Sequence, residues 1–182
     1  VEVEISRFKN FMSLGSTPST VLSLNPGIQS SERLIGDSIR GTREKHQHKW
    51  RAELIPLAFP GMKISNSVTF HVDFNPGKSL SVSMLPEDGD TLEQIYDGPR
   101  ILARLCESFL PQVSSINVLT LDTDNACLTN TAEITIAFEL PAAFPIPAHL
   151  VSSKGSDAIQ AGMNRDLDGL VGRYIERYKE WD

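Results

Sequence analysis

The segment Phe138–Val151, FELPAAFPIPAHLV, contains three prolines, Pro141, Pro145 and Pro147, between a predicted strand and a predicted long helix. Proline has no backbone N–H to donate to a neighbouring strand, and its ring fixes the φ angle, so it cannot continue a central strand. The segment therefore ends the sheet and carries the chain onward as an extended connection. The surface on which the following helix packs then decides the fold.

Apolar residues follow the proline segment at steps of three and four positions, which predicts an amphipathic helix over residues 156–181. A helix with one apolar stripe must bury that stripe against another element. The stripe consists of Ile159, Met163, Leu167, Leu170, Tyr174, Tyr178 and Trp181.

The chain before the prolines is rich in segments that alternate apolar and polar residues, the pattern of half-buried strands. In residues 64–74, Val68, Phe70 and Val72 alternate with His71, so His71 is expected to face solvent. Further strands are predicted over residues 1–8, 50–59, 79–85, 116–121 and 132–140. Short helices are predicted over residues 16–25 and near residues 99–111.

These elements predict an α+β fold in which a curved antiparallel sheet grips a long C-terminal helix, with residues 1–182 forming a single domain. The apolar face predicted for the sheet comprises Val68, Phe70, Val72, Leu80, Val82, Ile136 and Phe138. Such a face matches the stripe of the terminal helix in character and covers it.

Composition limits the function classes. The 182 residues carry a formal net charge of −6, which argues against nucleic-acid binding because phosphate recognition needs clustered Lys and Arg. No apolar run is long enough to span a bilayer. The two cysteines, Cys106 and Cys127, lack metal-ligand spacing and are interpreted as free thiols in a reducing compartment. A start at Val1 fits either a trimmed chain or a mature protein that has lost a targeting peptide.

Apolar residues on the facing surfaces of sheet and helix have two interpretations: they pack against each other as core, or they line a cavity for an apolar small molecule. The candidate cavity residues are Phe70, Phe74, Val82, Met84, Ile136, Phe138, Met163, Leu167 and Tyr174.

A basic loop is the candidate contact for an anionic membrane or a partner protein, with a plain solvated loop as the alternative. Its four cations are Arg40, Arg43, Lys45 and Lys49.

Within the same segment His46 and His48 have a spacing usable for zinc, but no third ligand is evident, so neither a metal nor a cofactor is predicted. Asp122, Asp124 and Asn125 are expected to form a turn rather than a calcium loop. No catalytic motif is recognisable, and an enzyme is not predicted.

The ending FELP…FPIPAHLV…RYIERYKEWD, together with AELIPLAF and VTFHVDF, resembles the START-like proteins of cyanobacteria and plastid-bearing organisms. The resemblance implies a helix-grip fold and a chloroplast setting, in the soluble phase or peripherally bound to the thylakoid membrane, and supplies no catalytic residues. We therefore expect a non-catalytic module that binds a lipid, isoprenoid or tetrapyrrole, or an assembly factor of photosynthetic membrane complexes. The alternatives are a peripheral structural subunit of such a complex and a cyclase-like enzyme.

Overall fold

The computed structural model describes residues 4–34, 46–59, 62–100, 112–125, 127–137 and 147–181. Eight strands in these ranges form one curved antiparallel sheet, and a helix of 32 residues packs against it. The α+β class and the terminal helix predicted from the sequence are therefore confirmed. The elements are α1 (Ile5–Met12), α2 (Thr17–Leu24), β1 (Ile28–Arg33), β2 (His46–Leu54), β3 (Leu57–Phe59), β4 (Met62–Asn75), β5 (Ser79–Met84), β6 (Thr91–Asp97), β7 (Gln112–Asp122), β8 (Cys127–Ala137) and α3 (Ala148–Lys179).

Strand β4 organises the sheet because it pairs with different strands along its length. One edge pairs with β2, while the other pairs first with β6 and then, from His71 onward, with β5. The sheet continues from β5 through β7 to β8. The turn between β4 and β5 contains Gly77 at φ +69°, where a Cβ atom would lie 2.7 Å from the Ser13 hydroxyl oxygen. Glycine therefore lets this turn approach the end of α1 closely.

The N-terminal strand prediction is wrong, because Ile5–Met12 is a helix. The alternation Val1, Glu2, Val3, Glu4, Ile5 suggested a strand, whereas Phe8, Phe11 and Met12 recur at helical spacing and are all buried. Burial of one side of a helix outweighs a short alternating pattern that leads into it. Residues 1–3 lie outside the described part of the chain.

An aromatic cluster joins α1 to the end of α3. The rings of Phe8 and Tyr178 meet edge to face with centroids 4.8 Å apart, and those of Phe11 and Tyr174 lie 5.2 Å apart. The Arg7 guanidinium lies 5.6 Å from the centroid of the Tyr178 ring and donates a hydrogen bond to the backbone carbonyl of Trp181. These contacts hold the C-terminal end of α3 in a packed aromatic core.

Helix α3 begins at Ala148, eight positions before the start predicted at residue 156. Its first two turns carry exposed Ser152, Ser153 and Lys154, so no apolar periodicity marks them in the sequence. The helix predicted near residues 99–111 falls largely outside the described part of the chain, as do Pro141 and Pro145. Pro147 is the N-cap residue, immediately before the first residue of α3, where its missing N–H removes no hydrogen bond within the helix.

Candidate functional site

A cavity of about 430 Å³ lies between the inner face of the sheet, helix α2 and the middle of α3. Its volume falls within the ordinary range for small-molecule sites, roughly 300–1,000 Å³. The wall is largely apolar, and its residues come from α2 (Val21, Leu22), the chain after α2 (Asn25), β1 (Ile28), β4 (Phe70), β5 (Leu80, Val82), β7 (Ser115, Ile116, Asn117, Leu119), β8 (Ala132, Glu133, Ile134) and α3 (Ile159, Gly162, Met163, Asp166, Leu167, Leu170).

Helix α3 divides into two parts that we name by their packing. In the packed half, Leu170, Tyr174 and Tyr178 are buried, with Tyr174 fully inaccessible, and Leu170 also borders the cavity at the boundary between the two halves. In the open half, Ile159, Met163 and Leu167 are only half-buried and line the cavity. The stripe predicted from the sequence is continuous, but only its C-terminal part meets a close-packed partner.

The backbone of α3 forms part of the cavity wall at Gly162. A Cβ atom placed there would meet nothing within 4 Å, so the space above this residue is open. Glycine inside a helix costs about 1 kcal/mol relative to alanine. Gly162 therefore contributes backbone and no side chain to the cavity wall.

Two polar side chains interrupt the apolar inner face of β7. Ser115 and Asn117 occupy the same face as Leu119, and both line the cavity. Asn117 pairs across the sheet with Val82 and Ala132. Within the described residues, neither polar side chain forms a hydrogen bond, so both are available to a bound molecule.

The predicted cavity residues occupy three kinds of position. Phe70, Val82, Met163 and Leu167 line the cavity, whereas Phe74, Met84 and Tyr174 are buried core residues outside its lining. Ile136 lies beyond the lining and is 38% exposed. Phe138 lies outside the described part of the chain.

Residues of α2 and β1 and the polar residues of β7 line the cavity but do not belong to the predicted cavity residues. Val21 and Leu22 were contained in a predicted helix without an assigned partner. The β7 segment was predicted to begin at Ile116, although β7 starts at Gln112. Extending the alternation back to Val113 would have placed Ser115 and Asn117 on the inner face.

Burial in the packed half of α3 changes the pKa of Tyr174. Loss of hydration raises the pKa of the Tyr174 phenol to about 12, and the neighbouring Thr17 hydroxyl offsets only part of this rise. Among the described residues, no group forms a hydrogen bond of good geometry with the Tyr174 oxygen. Because the ionised phenolate would be poorly solvated there, Tyr174 stays protonated and belongs to the core.

His71 is buried on the opposite, outer face of the sheet, which corrects the expectation that it faces solvent. Its strand alternation was predicted correctly, but the turn from β5 to β6 brings Asp90 over it. The fully buried Asp90 Oδ1 lies 3.7 Å from His71 Nε2 and 3.6 Å from Lys49 Nζ. The Leu85 backbone N–H donates a 3.2 Å hydrogen bond to Asp90 Oδ2. This polar cluster fastens the turn to the sheet.

Lys49 is consequently not a free surface cation. Strand β2 begins at His46, four residues before the start predicted at Trp50, so Lys49 lies in the sheet rather than in a solvated loop. Its ammonium group also donates a 3.2 Å hydrogen bond to the Gly89 carbonyl. The other predicted contact residues, Arg40, Arg43 and Lys45, lie outside the described ranges.

The metal-site alternatives receive no geometric support from the described residues, which contain no group of three or more His, Cys, Asp or Glu side chains arranged to hold a metal. Asp122 instead accepts hydrogen bonds from the Asn125 side chain at 2.8 Å and from the backbone N–H groups of Asn125 and Asp124. These bonds, led by the Asn125 side chain, lower the pKa of the Asp122 carboxyl. The predicted turn is confirmed.

Comparison with protein-family models, curated proteins and solved structures finds no match for this chain. In the described part of the structure, no helix combines the length and the apolar character needed to cross a membrane. The cavity and its lining are therefore the observations from which a function can be argued.

Proposed function

We propose that the protein is a non-catalytic module that binds an apolar small molecule between the sheet and the open half of α3. The observation that carries this proposal is the cavity of about 430 Å³ at that position. Interiors of proteins are normally close-packed, so an apolar space of this size beside a packed core provides room for a ligand.

The helix-grip architecture, the START-like relationship and a plastid location remain predictions from the sequence resemblance. An antiparallel sheet covered by a C-terminal helix supports a helix-grip arrangement. Assembly of photosynthetic membrane complexes is a further role compatible with a carrier module. Lys49, one of the four cations predicted to contact a membrane or a partner protein, instead pairs with Asp90 in the sheet.

Filling the cavity tests this proposal. In Met163→Trp, the indole would occupy space used by a ligand, so binding of the neutral fluorescent probe N-phenyl-1-naphthylamine should be lost. The fold should persist, because overpacking strain of about 1–3 kcal/mol arises only where the space is already filled. Probe fluorescence and thermal unfolding measure the two effects on delipidated protein.

Ala161→Trp is the matched control, since Ala161 is exposed on the same helix and does not line the cavity. This variant should bind the probe as wild type does. Equal probe binding by Met163→Trp and Ala161→Trp would place binding elsewhere. A failure of wild type to bind the probe, with concentration-dependent dimerisation in light scattering, would show that a second copy covers the cavity and would overturn the proposal.

A further inference from the structure

We infer that the ligand of this cavity is an amphiphile with an uncharged hydrogen-bonding group, such as an alcohol, ketone or ester, and not an anionic lipid. This inference rests on the proposed function and specifies its ligand class. It follows from the kinds of polar group that the cavity presents and from where they lie.

Among the described lining residues there is no Lys, Arg or His. The charged members are Asp166, which is exposed, and Glu133, which is also exposed and pairs with Ile116 at a β8 position that alternates with the inner-face residue Ala132. Arg165 approaches Asp166, with its Nε 3.3 Å from Asp166 Oδ1, but the Arg165 side chain is 80% exposed and such a pair is strongly screened by solvent. An anionic head group would thus lose hydration without a cationic partner among the described lining residues. The half-buried guanidinium of Arg173 on α3 does not belong to that lining and donates a 2.8 Å hydrogen bond to the Leu24 carbonyl.

The inner wall offers hydrogen bonds without charge. Ser115 and Asn117 lie on the inner face of β7, between apolar partners on β5 and β8: Met84 and Ile134 for Ser115, and Val82 and Ala132 for Asn117. A hydroxyl can donate or accept, and a carboxamide does both. A neutral polar group of the ligand would pair with them, whereas an anionic group would meet no cation among the described lining residues.

The uncharged polar groups of the described lining distinguish between the classes of apolar ligand that could fit the wall. A phospholipid, a fatty acid or a tetrapyrrole with free carboxylates each brings an anionic group that needs a cation. A neutral isoprenoid alcohol or ketone does not. The chemistry of the described lining favours the second kind.

Competition between matched ligands tests the inference. Farnesol and farnesoate share one apolar skeleton and differ in charge at pH 8, and each would be titrated against bound N-phenyl-1-naphthylamine. Farnesol should displace the probe with an apparent Kd at least about tenfold lower than that of farnesoate, because the carboxylate loses hydration without a partner. Farnesene, a hydrocarbon with a similar skeleton, measures the contribution of the hydroxyl group.

Substitutions at polar residues test which side chains cause the preference for an uncharged ligand. The ratio of the apparent Kd of farnesene to that of farnesol measures what the hydroxyl group contributes to binding. Asn117→Val should lower this ratio by about fivefold, which corresponds to the loss of one ordinary hydrogen bond, and should leave the Kd of farnesene nearly unchanged. Asp166→Lys should strengthen farnesoate binding, whereas Asp157→Lys, at an exposed α3 position outside the lining, should not.

The possible failures are distinguishable. If neither the probe nor any farnesyl compound binds, the proposed function is wrong. If the probe binds but farnesoate competes as well as farnesol, or Asn117→Val leaves the farnesol advantage unchanged, the cavity is a binding site and the inference about its ligand class is wrong.

Discussion

Two segments of one helix with the same apolar periodicity have different surroundings. In the packed half of α3, Tyr174 and Tyr178 lie among the phenylalanine rings of α1. In the open half, Met163 and Leu167 lie over a cavity. The comparison shows that an apolar stripe predicts which face of a helix turns toward the sheet. The partner elements determine whether that face is close-packed or borders open space.

The partner differs because α1 reaches only one end of α3. Phe8 and Phe11 fill the space beside the packed half, and the β4–β5 turn approaches α1 through the hydrogen bond from the Gly77 N–H to the Met12 carbonyl, 3.3 Å. Toward the open half, α2 supplies Val21 and Leu22, which are smaller than the aromatic rings of α1. The size of the contributed side chains thus accounts for the cavity.

The largest effect expected from this contrast comes from removing the same side chain on either side of the boundary. Leu170→Ala should lower the free energy of unfolding by about 2–5 kcal/mol, because Leu170, although it borders the cavity, is only 5% exposed and its loss removes buried apolar contacts. Leu167→Ala should cost about 1 kcal/mol or less, since this half-buried side chain already borders open space. Urea denaturation of delipidated protein measures both, and equal costs would mean that the two halves are packed alike.

A smaller effect is expected in the pH dependence of the free energy of unfolding, because the phenol of Tyr174 is buried in the packed half. The unfolded phenol has a pKa near 10 and the folded one about 12, so below pH 10 both states stay protonated and this group adds no pH dependence. As pH rises from 10 toward 12, the unfolded state loses its proton first and stability falls. Wild type should therefore lose about 1.4 kcal/mol more than Tyr174→Phe between pH 8 and pH 11.

The control is to take, at each pH, the difference in the free energy of unfolding between wild type and Tyr174→Phe. The contributions of all other ionising groups cancel in this difference. At pH 8, Tyr174→Phe should be about as stable as wild type, because the lost hydroxyl forms no hydrogen bond of good geometry with any described residue. Parallel stability profiles for the two proteins up to pH 11 would show that Tyr174 is hydrated, and the packed half would then be less tightly closed than described.

Regular periodicity made much of the fold predictable. The alternation in residues 64–74 and the stepped stripe of residues 159–181 report local backbone geometry, and both became the expected elements. The failures involve contacts between distant segments. Nothing near His71 in the sequence indicates that Asp90 folds over it, and nothing near Lys49 indicates its pairing with the same carboxylate.

The candidate site was only partly predictable for the same reason. Sequence spacing placed Met163 and Leu167 on the face toward the sheet, but it could not separate them from Tyr174, which has the same periodicity and is core. Whether space remains beside a residue depends on the volumes of side chains contributed by α1 and α2. The N-terminal helix α1 was itself obscured by the alternating VEVEI sequence.

The most direct test of the central claim is a carbon-13 methyl NMR titration of the four methionines with farnesol. Met163 lines the cavity, whereas Met12 is 0% exposed in the packed core, so the two methyl groups compare the two regions in one sample. Met163→Leu and Met12→Leu assign the resonances. The account predicts a saturable shift of the Met163 signal with the Met12 signal unchanged, and a Met163 signal that stays unmoved at saturating farnesol would contradict it.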